Sequence, residues 1–301
     1  MQQASTNNDF VIILFYKFVD MVDPSAFVLE HKQKCTELGI LGRMLVAEEG
    51  INGTFEGTRD KITEYVKFLR SDPRFADIII KESKGTGTGF PKLKIKVRPE
   101  VVTLGAGKFN VKDETAKEIS VTELKKLYEN KEDFVVLDLR NDYEIATGKF
   151  EKTIDPGLVN FRDLPGKLKE MGDLKGKKIV AVCTGGIRCE KATCLMKREG
   201  FENIYQLKDG IHTYMKEYPG QEFKGSLFVF DNRLVTDVVP TENKEIIGKC
   251  KFCSVPTETY YSDDRTRPSR KVLCCDACYV VNKQFLRVGV TKAIDNVALI
   301  K

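Results

Sequence analysis

The stretch Cys183-Thr184-Gly185-Gly186-Ile187-Arg188-Cys189 places two thiols, two glycines and an arginine within seven residues, directly after the apolar run KKIVAV. A glycine loop that opens a helix points several backbone N–H groups at one spot, and the helix dipole adds partial positive charge there. An anion is favoured at that spot, and the Cys183 side chain can itself be that anion. Arg188 and Lys191 lie close in sequence, and such surroundings lower a thiol pKa from about 8.5 into the range of roughly 3.5 to 7.5. The bland alternative is an inert buried cysteine at a strand end. A plain strand-to-helix turn, however, requires neither paired glycines nor an arginine. Cys194 falls beside Ala192, Leu195 and Met196 and reads as core. Cys189, in the first helical turn, is either a resolving thiol or merely a neighbour.

A second group of cysteines suggests a second chemistry. Cys250-x-x-Cys253 and Cys275-x-x-Cys278 have nearly the spacing of a zinc ribbon, with Cys274 as a rival ligand. Four thiolates at one tetrahedral centre would fix a tail too short to hold a large core. The alternative is reduced, partly disordered thiols. No histidine or carboxylate completes an open catalytic metal site nearby. The cations of RTRPSRK, residues 265–271, either reach RNA or solvate a loop.

The elements that must position these groups fall into three regions. FVIILFYKF reads as a buried strand, Asp23-Pro24-Ser25 starts a helix, and LGRMLVA and INGTFEG are strands around Glu48-Glu49-Gly50. A helix carries Ile62, Tyr65, Val66 and Leu69 on one face, and ADIIIKES and KLKIKVR return to strand character. The order βαββαβ predicts a ferredoxin-like α+β domain over residues 1–108. GAGKFNVKDE reads as a linker. Helices then alternate with the buried strands FVVLDLR, KKIVAV and NIYQL, which predicts a parallel α/β domain over 115–222, with ligands beyond the carboxyl ends of the strands. Cys183 sits at such an end. A small cysteine-rich region, 223–301, completes an α/β multidomain chain of 301 residues.

In KLKIKVR, Leu93, Ile95 and Val97 face one side and Lys92, Lys94, Lys96 and Arg98 the other. Residues 81–98 hold six cations against Glu82, a balance of +5 that equals the net charge of the whole chain. The strip is either a lysine-protected edge strand or a polyanion-binding face. The apolar run near residue 10 is too short to span a bilayer, and the nine cysteines occur without a secretory signal, so a cytoplasmic, reduced protein is expected. No phosphate-binding loop or dinucleotide fingerprint occurs, so no nucleotide cofactor is expected. His31 is remote from the loop in sequence, and His212 has no obvious orienting partner. Taken alone, Glu48-Glu49 is a solvated pair and Asn52-Gly53 a turn.

CTGGIR resembles the active loop of rhodanese-type sulfurtransferases, in which a cysteine separated by four residues from an arginine accepts sulfur as a persulfide. The related phosphatases use five intervening residues. VVLDLR followed by Tyr143-Glu144 resembles the rhodanese segment whose aspartate and arginine brace the fold. Together with Glu48-Glu49-Gly50-Ile51-Asn52-Gly53-Thr54 and Phe161-Arg162-Asp163-Leu164-Pro165, the chain is similar to the oxygen-dependent tRNA uridine hydroxylases, a rhodanese-domain family forming 5-hydroxyuridine at the wobble position. The resemblance implies tRNA as partner, dioxygen as co-substrate, and catalysis by Cys183 and Arg188. It also implies a substrate cleft lined by Thr184, Gly185, Gly186, Ile187, Glu49, Asn52 and Arg162, to which Lys92, Lys94 and Lys96 add RNA contacts. Two departures concern substrate details: Lys149 stands where rhodanese domains often carry histidine, and Lys208-Asp209-Gly210 replaces the usual double glycine. The competing expectations are a plain sulfurtransferase and an RNA-binding scaffold with an inert rhodanese domain. Intact Cys183 and Arg188 weigh against the scaffold, and the basic strip and extra domains against the sulfurtransferase.

Overall fold

In the computed structural model of the protein, residues 9–288 are described, apart from 239, 241 and 243. The outer ends of the first and last expected domains, 1–8 and 289–301, lie outside the described residues. None of the described helices is long and apolar enough to cross a membrane.

The first region contains β1 (Phe10–Phe18), α1 (Pro24–Glu37), β2 (Leu41–Ala47), β3 (Gly50–Thr58), α2 (Arg59–Ser71), β4 (Lys81–Lys84) and β5 (Leu93–Val97). α1 starts where the sequence signals it: the Asp23 carboxylate accepts from the N–H groups of Ser25 and Ala26 at 3.0 and 2.9 Å, with Pro24 in the first turn. The sheet order is β4-β1-β3-β2-β5, the ferredoxin-like arrangement with β5 added parallel to β2. A core that includes Phe15, Phe55, Tyr65 and Phe75 fills this region, each buried phenylalanine contributing about 1.5–3 kcal/mol. His31 belongs to this core, its Nδ1 3.0 Å from the Tyr65 hydroxyl.

Two expectations are corrected here. The strand read from ADIIIKES is confined to its end, because Ile78 closes a turn on Phe75 and its carbonyl accepts from Arg70 at 3.0 Å. The segment read as a linker is pinned in place: α3 (Val111–Glu114) lies within it, Glu114 pairs with Arg198, and the Arg198 guanidinium stacks 4.5 Å from the Phe109 ring centroid.

The second region runs β6 (Lys117–Ile119), α4 (Val121–Glu129), β7 (Val135–Asp138), α5 (Asp142–Ile145), β8 (Gly148–Phe150), β9 (Thr153–Ile154), α6 (Leu164–Glu170), β10 (Ile179–Val182), α7 (Ile187–Arg198), β11 (Ile204–Leu207) and α8 (Gly210–Glu217). Five of its six strands pair in the order β6-β11-β10-β7-β9, all parallel. β10 is buried along its whole length, which explains its unbroken apolar sequence. The buried Arg140 guanidinium binds Asp138 and the carbonyls of Glu144 and Gly148, locking the turn after β7.

In the third region, β12 (Phe223–Gly225) pairs with β8, β13 (Leu227–Phe228) with β14 (Val235–Thr236), and β15 (Tyr260–Asp263) lies between β16 (Arg270–Leu273) and β17 (Leu286–Val288). α9 (Asp276–Asn282) carries the last cysteine. Among the described residues this region holds two small clusters, one of Cys250, Tyr261, Cys274 and Leu286 and one of Phe228, Tyr260 and Leu273.

Candidate active site

β10 ends at Val182, and the next residue, Cys183, is wholly buried. The start of α8 fixes the loop from below: the N–H groups of Ile211 and His212 donate to the carbonyls of Cys183 and Thr184 at 3.0 and 3.1 Å. The Gly186 N–H donates to the Cys183 sulfur at 3.2 Å. Burial by itself raises the Cys183 pKa. The Cys189 thiol donating to the sulfur, the Arg188 charge, and the N–H groups of Arg188 and Cys189 outweigh it, lowering the pKa to about 5. Cys189 is pushed well above the usual thiol range by its own burial and by the neighbouring sulfur, so it holds its proton. At neutral pH the arrangement is one thiolate beside one thiol.

Arg188 is immobilised. Its guanidinium donates twice to the buried Glu144 carboxylate, at 2.6 and 2.8 Å, and once to the Thr184 hydroxyl at 3.3 Å. Lys191, expected to add charge near the sulfur, points elsewhere: its ammonium binds Glu49 at 3.1 Å, together with Glu100 and the Val102 carbonyl. One helical turn on from Arg188, it faces the first domain and ties α7 to it.

The sheet of the first domain covers the loop. A Cβ at Gly185 would lie 2.9 Å from Leu14 Cδ2, and one at Gly186, where φ is +105°, would lie 2.6 Å from the Tyr16 hydroxyl. Gly186 is favoured by its backbone conformation, and a side chain at either position would have to displace Leu14 or Tyr16 of β1. The Tyr16 hydroxyl donates to Glu190 at 3.3 Å, and Lys81, beneath the Tyr16 ring, pairs with Asp209 at 3.0 Å. Asp209 is part of the Lys-Asp-Gly segment that departs from the usual double glycine, so that departure supplies a contact between the domains.

Between sheet and loop lies a cavity of about 500 Å³. The register aligns Lys81, Leu14, Thr54, Arg43 and Lys94 in one row across the sheet, and Tyr16, Asn52, Leu45 and Lys96 in the next. All nine face the cavity, so it is apolar above the sulfur and basic toward the β5 edge. Arg98 and Arg162 extend the basic rim, and Val229, Phe230 and Arg233 form a third wall. Arg233 is anchored by Asp231, the Ser83 hydroxyl and the Lys84 carbonyl.

Of the residues singled out in the sequence, Cys183, Thr184, Gly185, Ile187, Arg188, Asn52, Arg162, Lys94 and Lys96 line this cavity together. Gly186 stands against Tyr16, its N–H on the sulfur. Glu49 and Lys92 are placed elsewhere: Glu49 pairs with Lys191 and accepts from the Val101 N–H, and Lys92 precedes β5. His212, set aside in the sequence, is part of the wall. Burial and the nearby Lys81, Lys216 and Arg233 charges lower its pKa to about 4, so it is neutral at pH 7. Leu14, Tyr16, Arg43 and Phe230 carry no sequence signal beyond strand or turn character, since only the packing of distant segments brings them to the loop.

In the third region the sulfurs of Cys250, Cys253, Cys275 and Cys278 lie within 4.8 Å of one another, and this cluster could hold a metal ion. The rival Cys274 is buried, its thiol donating to the Cys275 carbonyl at 3.4 Å.

Comparison with known proteins covers the same three regions. The model of the UPF0176 acylphosphatase-like domain matches residues 10–101, that of the rhodanese-like domain 120–217, and that of the rhodanase C-terminal region 224–287. A protein of Cytophaga hutchinsonii named tRNA uridine(34) hydroxylase is 38% identical over 270 residues, covering 90% of this chain and 86% of the relative. Proteins of the same name from Staphylococcus haemolyticus and Onion yellows phytoplasma are 41% and 40% identical, over 88% and 91% of this chain and 83% and 89% of their own lengths. At 38–41% identity to these relatives over 88–91% of its length, the chain belongs to the tRNA uridine(34) hydroxylase family.

Proposed function

We propose that this chain hydroxylates the wobble uridine of tRNA to 5-hydroxyuridine in the cytoplasm, with Cys183 as the reacting thiolate and dioxygen as the source of the new oxygen. The observation that carries this reading is the position of the depressed thiol at the apolar end of a cavity whose other end is cationic. A uracil ring fits the apolar end, and the basic rim complements its phosphates. The wobble base sits in a single-stranded loop, so withdrawing it into a pocket costs little.

Thiolate addition at C6 of uracil moves the ring's electron pair to C5 and the carbonyl oxygen, and C5 bonds one atom of dioxygen to give a hydroperoxide; two electrons and two protons from a thiol reductant then break the O–O bond, leaving the hydroxyl on C5 and releasing the second oxygen as water. Loss of the C5 proton and expulsion of the thiolate restore the ring. Glu144 and Thr184 hold the Arg188 guanidinium in place, so Arg188 sustains the thiolate by charge and by holding the loop. Stabilising the enolate oxygen falls to the loop N–H groups. The test is nucleoside mass spectrometry of tRNA from cells lacking the gene and from restored cells grown in labelled dioxygen. Loss of 5-hydroxyuridine, with label at C5 on restoration, supports the reading. Loss of a thiolated nucleoside with 5-hydroxyuridine intact would make sulfur transfer the function.

Replacing Lys94 and Lys96 together by Gln is expected to weaken tRNA binding and to lower the slope of log affinity against log salt by roughly 0.7–0.9 per lost phosphate contact. An unchanged slope would return these lysines to ordinary surface.

The cysteine cluster is assigned to structural zinc. Tetrahedral ligation at about 2.3 Å puts sulfurs roughly 3.8 Å apart, and the Cys253–Cys275 separation is 3.6 Å. Zinc there would cross-link the loop after residue 249 to the start of α9, in a region with little core. Elemental analysis should find about one zinc per chain, and Cys253→Ser with Cys278→Ser should find none. A zinc-free native chain would refute the assignment.

A further inference from the structure

Phe230 is 40% exposed, and the surface it exposes is cavity wall. A lone exposed phenylalanine is ordinary, but this ring is held. It meets Phe228 edge-on at 5.3 Å and 81°, and Phe228 packs edge-on against Tyr143 and Tyr260, each at 5.2 Å. The turn that carries it is fixed on both sides: the Val229 N–H donates to the Leu234 carbonyl at 2.8 Å, and the Asn232 N–H to the Gly89 carbonyl at 2.8 Å. Over the ring, 5.2 Å from its centroid, lies the Arg43 guanidinium, in the sheet row that ends in Lys94.

The sulfur lies in the loop whose glycines meet Leu14 and Tyr16, whereas Phe230 stands on the wall that the third region contributes, so sulfur and ring offer two separate places on one cavity. Withdrawing one base from a loop unstacks its neighbour, and single-stranded RNA is recognised by stacking such bases on aromatic rings and on guanidinium planes.

We propose that Phe230, together with Arg43, is a stacking platform for the nucleotide adjoining the one that reacts. The inference rests on the tRNA reading above. The ring supplies the stacking face and Arg43 a charge for the adjoining phosphate. Because every base has a π face, the platform fixes position without selecting sequence.

The test uses the full chain, fluorescently labelled anticodon stem-loop hairpins, and binding read by anisotropy. Phe230→Ala should weaken binding of the intact hairpin about 5- to 150-fold, the range of one lost base–aromatic stack. Phe230→Leu, which keeps apolar volume against Phe228, should lose nearly as much, and Phe230→Trp should bind like the parent. On a hairpin made abasic at the nucleotide flanking position 34 on one side, the parent should lose the same factor and Phe230→Ala should lose little more. Parental binding by Phe230→Leu, or an equal loss by Phe230→Ala on every abasic hairpin, would overturn the platform. A parent chain that binds and hydroxylates the hairpin in either case leaves the tRNA reading standing, and a parent that does neither overturns both.

Discussion

Cells whose only copy of this protein carries Cys183→Ser are expected to contain no 5-hydroxyuridine-derived nucleoside at the wobble position, a drop in rate of roughly 10³-fold or more. The serine hydroxyl occupies nearly the same volume and can accept the same Gly186 N–H, so the fold is expected to survive. It cannot supply an anion, because nothing in the loop compensates for the far higher pKa of an alcohol. Circular dichroism and thermal unfolding of the purified variant would establish that the fold is retained, and nucleoside mass spectrometry would read the loss. Normal modification by a folded Cys183→Ser chain would exclude the thiol from the chemistry. Cys189→Ser should do far less harm, since the serine hydroxyl can still donate to the thiolate and the charge of Arg188 stays in place.

Arg188→Met should act on stability and on the thiol together. Glu144 is buried, and the substitution leaves its carboxylate without a cation, a loss of about 3–5 kcal/mol for breaking a buried pair from one side. The same change removes one of the influences that depress Cys183. In the parent, alkylation by iodoacetamide should rise through about pH 5 and be level at neutrality, since the thiolate is the reacting form. In the variant the rise should move to more alkaline pH. Urea titration reads the first effect and the pH profile of alkylation the second. A variant of parental stability with an unmoved profile would show that neither interaction operates. Arg188→Lys keeps charge but not the two-pronged geometry, so it should fall between.

The thiol loop, its strand and its helix are legible in the sequence because what defines them is local. The apolar run of β10, the paired glycines and the arginine five residues beyond the cysteine lie within a dozen positions. The alternation of KLKIKVR likewise reveals the cationic face of β5, and the two Cys-x-x-Cys pairs reveal the cluster in the third region. Direction along non-local contacts is another matter. Lys191 looks like a cation for the sulfur until α7 is seen to turn it toward Glu49 and Glu100. Glu49, a cleft residue only by the family resemblance and otherwise half of a solvated pair, is taken up by the same ion pair. Leu14 and Tyr16 read only as alternate residues of a buried strand. Their role depends on β1 approaching glycines on another domain, a contact that local periodicity does not encode. Phe230 and Arg43 meet across an interface between the third region and the first, so neither residue carries the other's signature.

The covering of the loop by β1 sets a schedule for synthesis on the ribosome. The first sheet is complete only once β5 ends at Val97, and Glu190, the partner of Tyr16, follows 93 positions later, which at about 5–20 residues per second is a delay of roughly 5–20 s. Through that interval the first sheet exists without the surface it will cover, showing Leu14 and Tyr16 to whatever is nearby. The same face carries Lys81, Arg43, Lys94 and Lys96. Charges set among apolar strand residues discourage edge-to-edge association. The lysines and arginines of the cavity roof therefore protect the nascent chain from aggregation before any substrate is present, and replacing them all by neutral residues would lower the yield of soluble protein as well as RNA affinity.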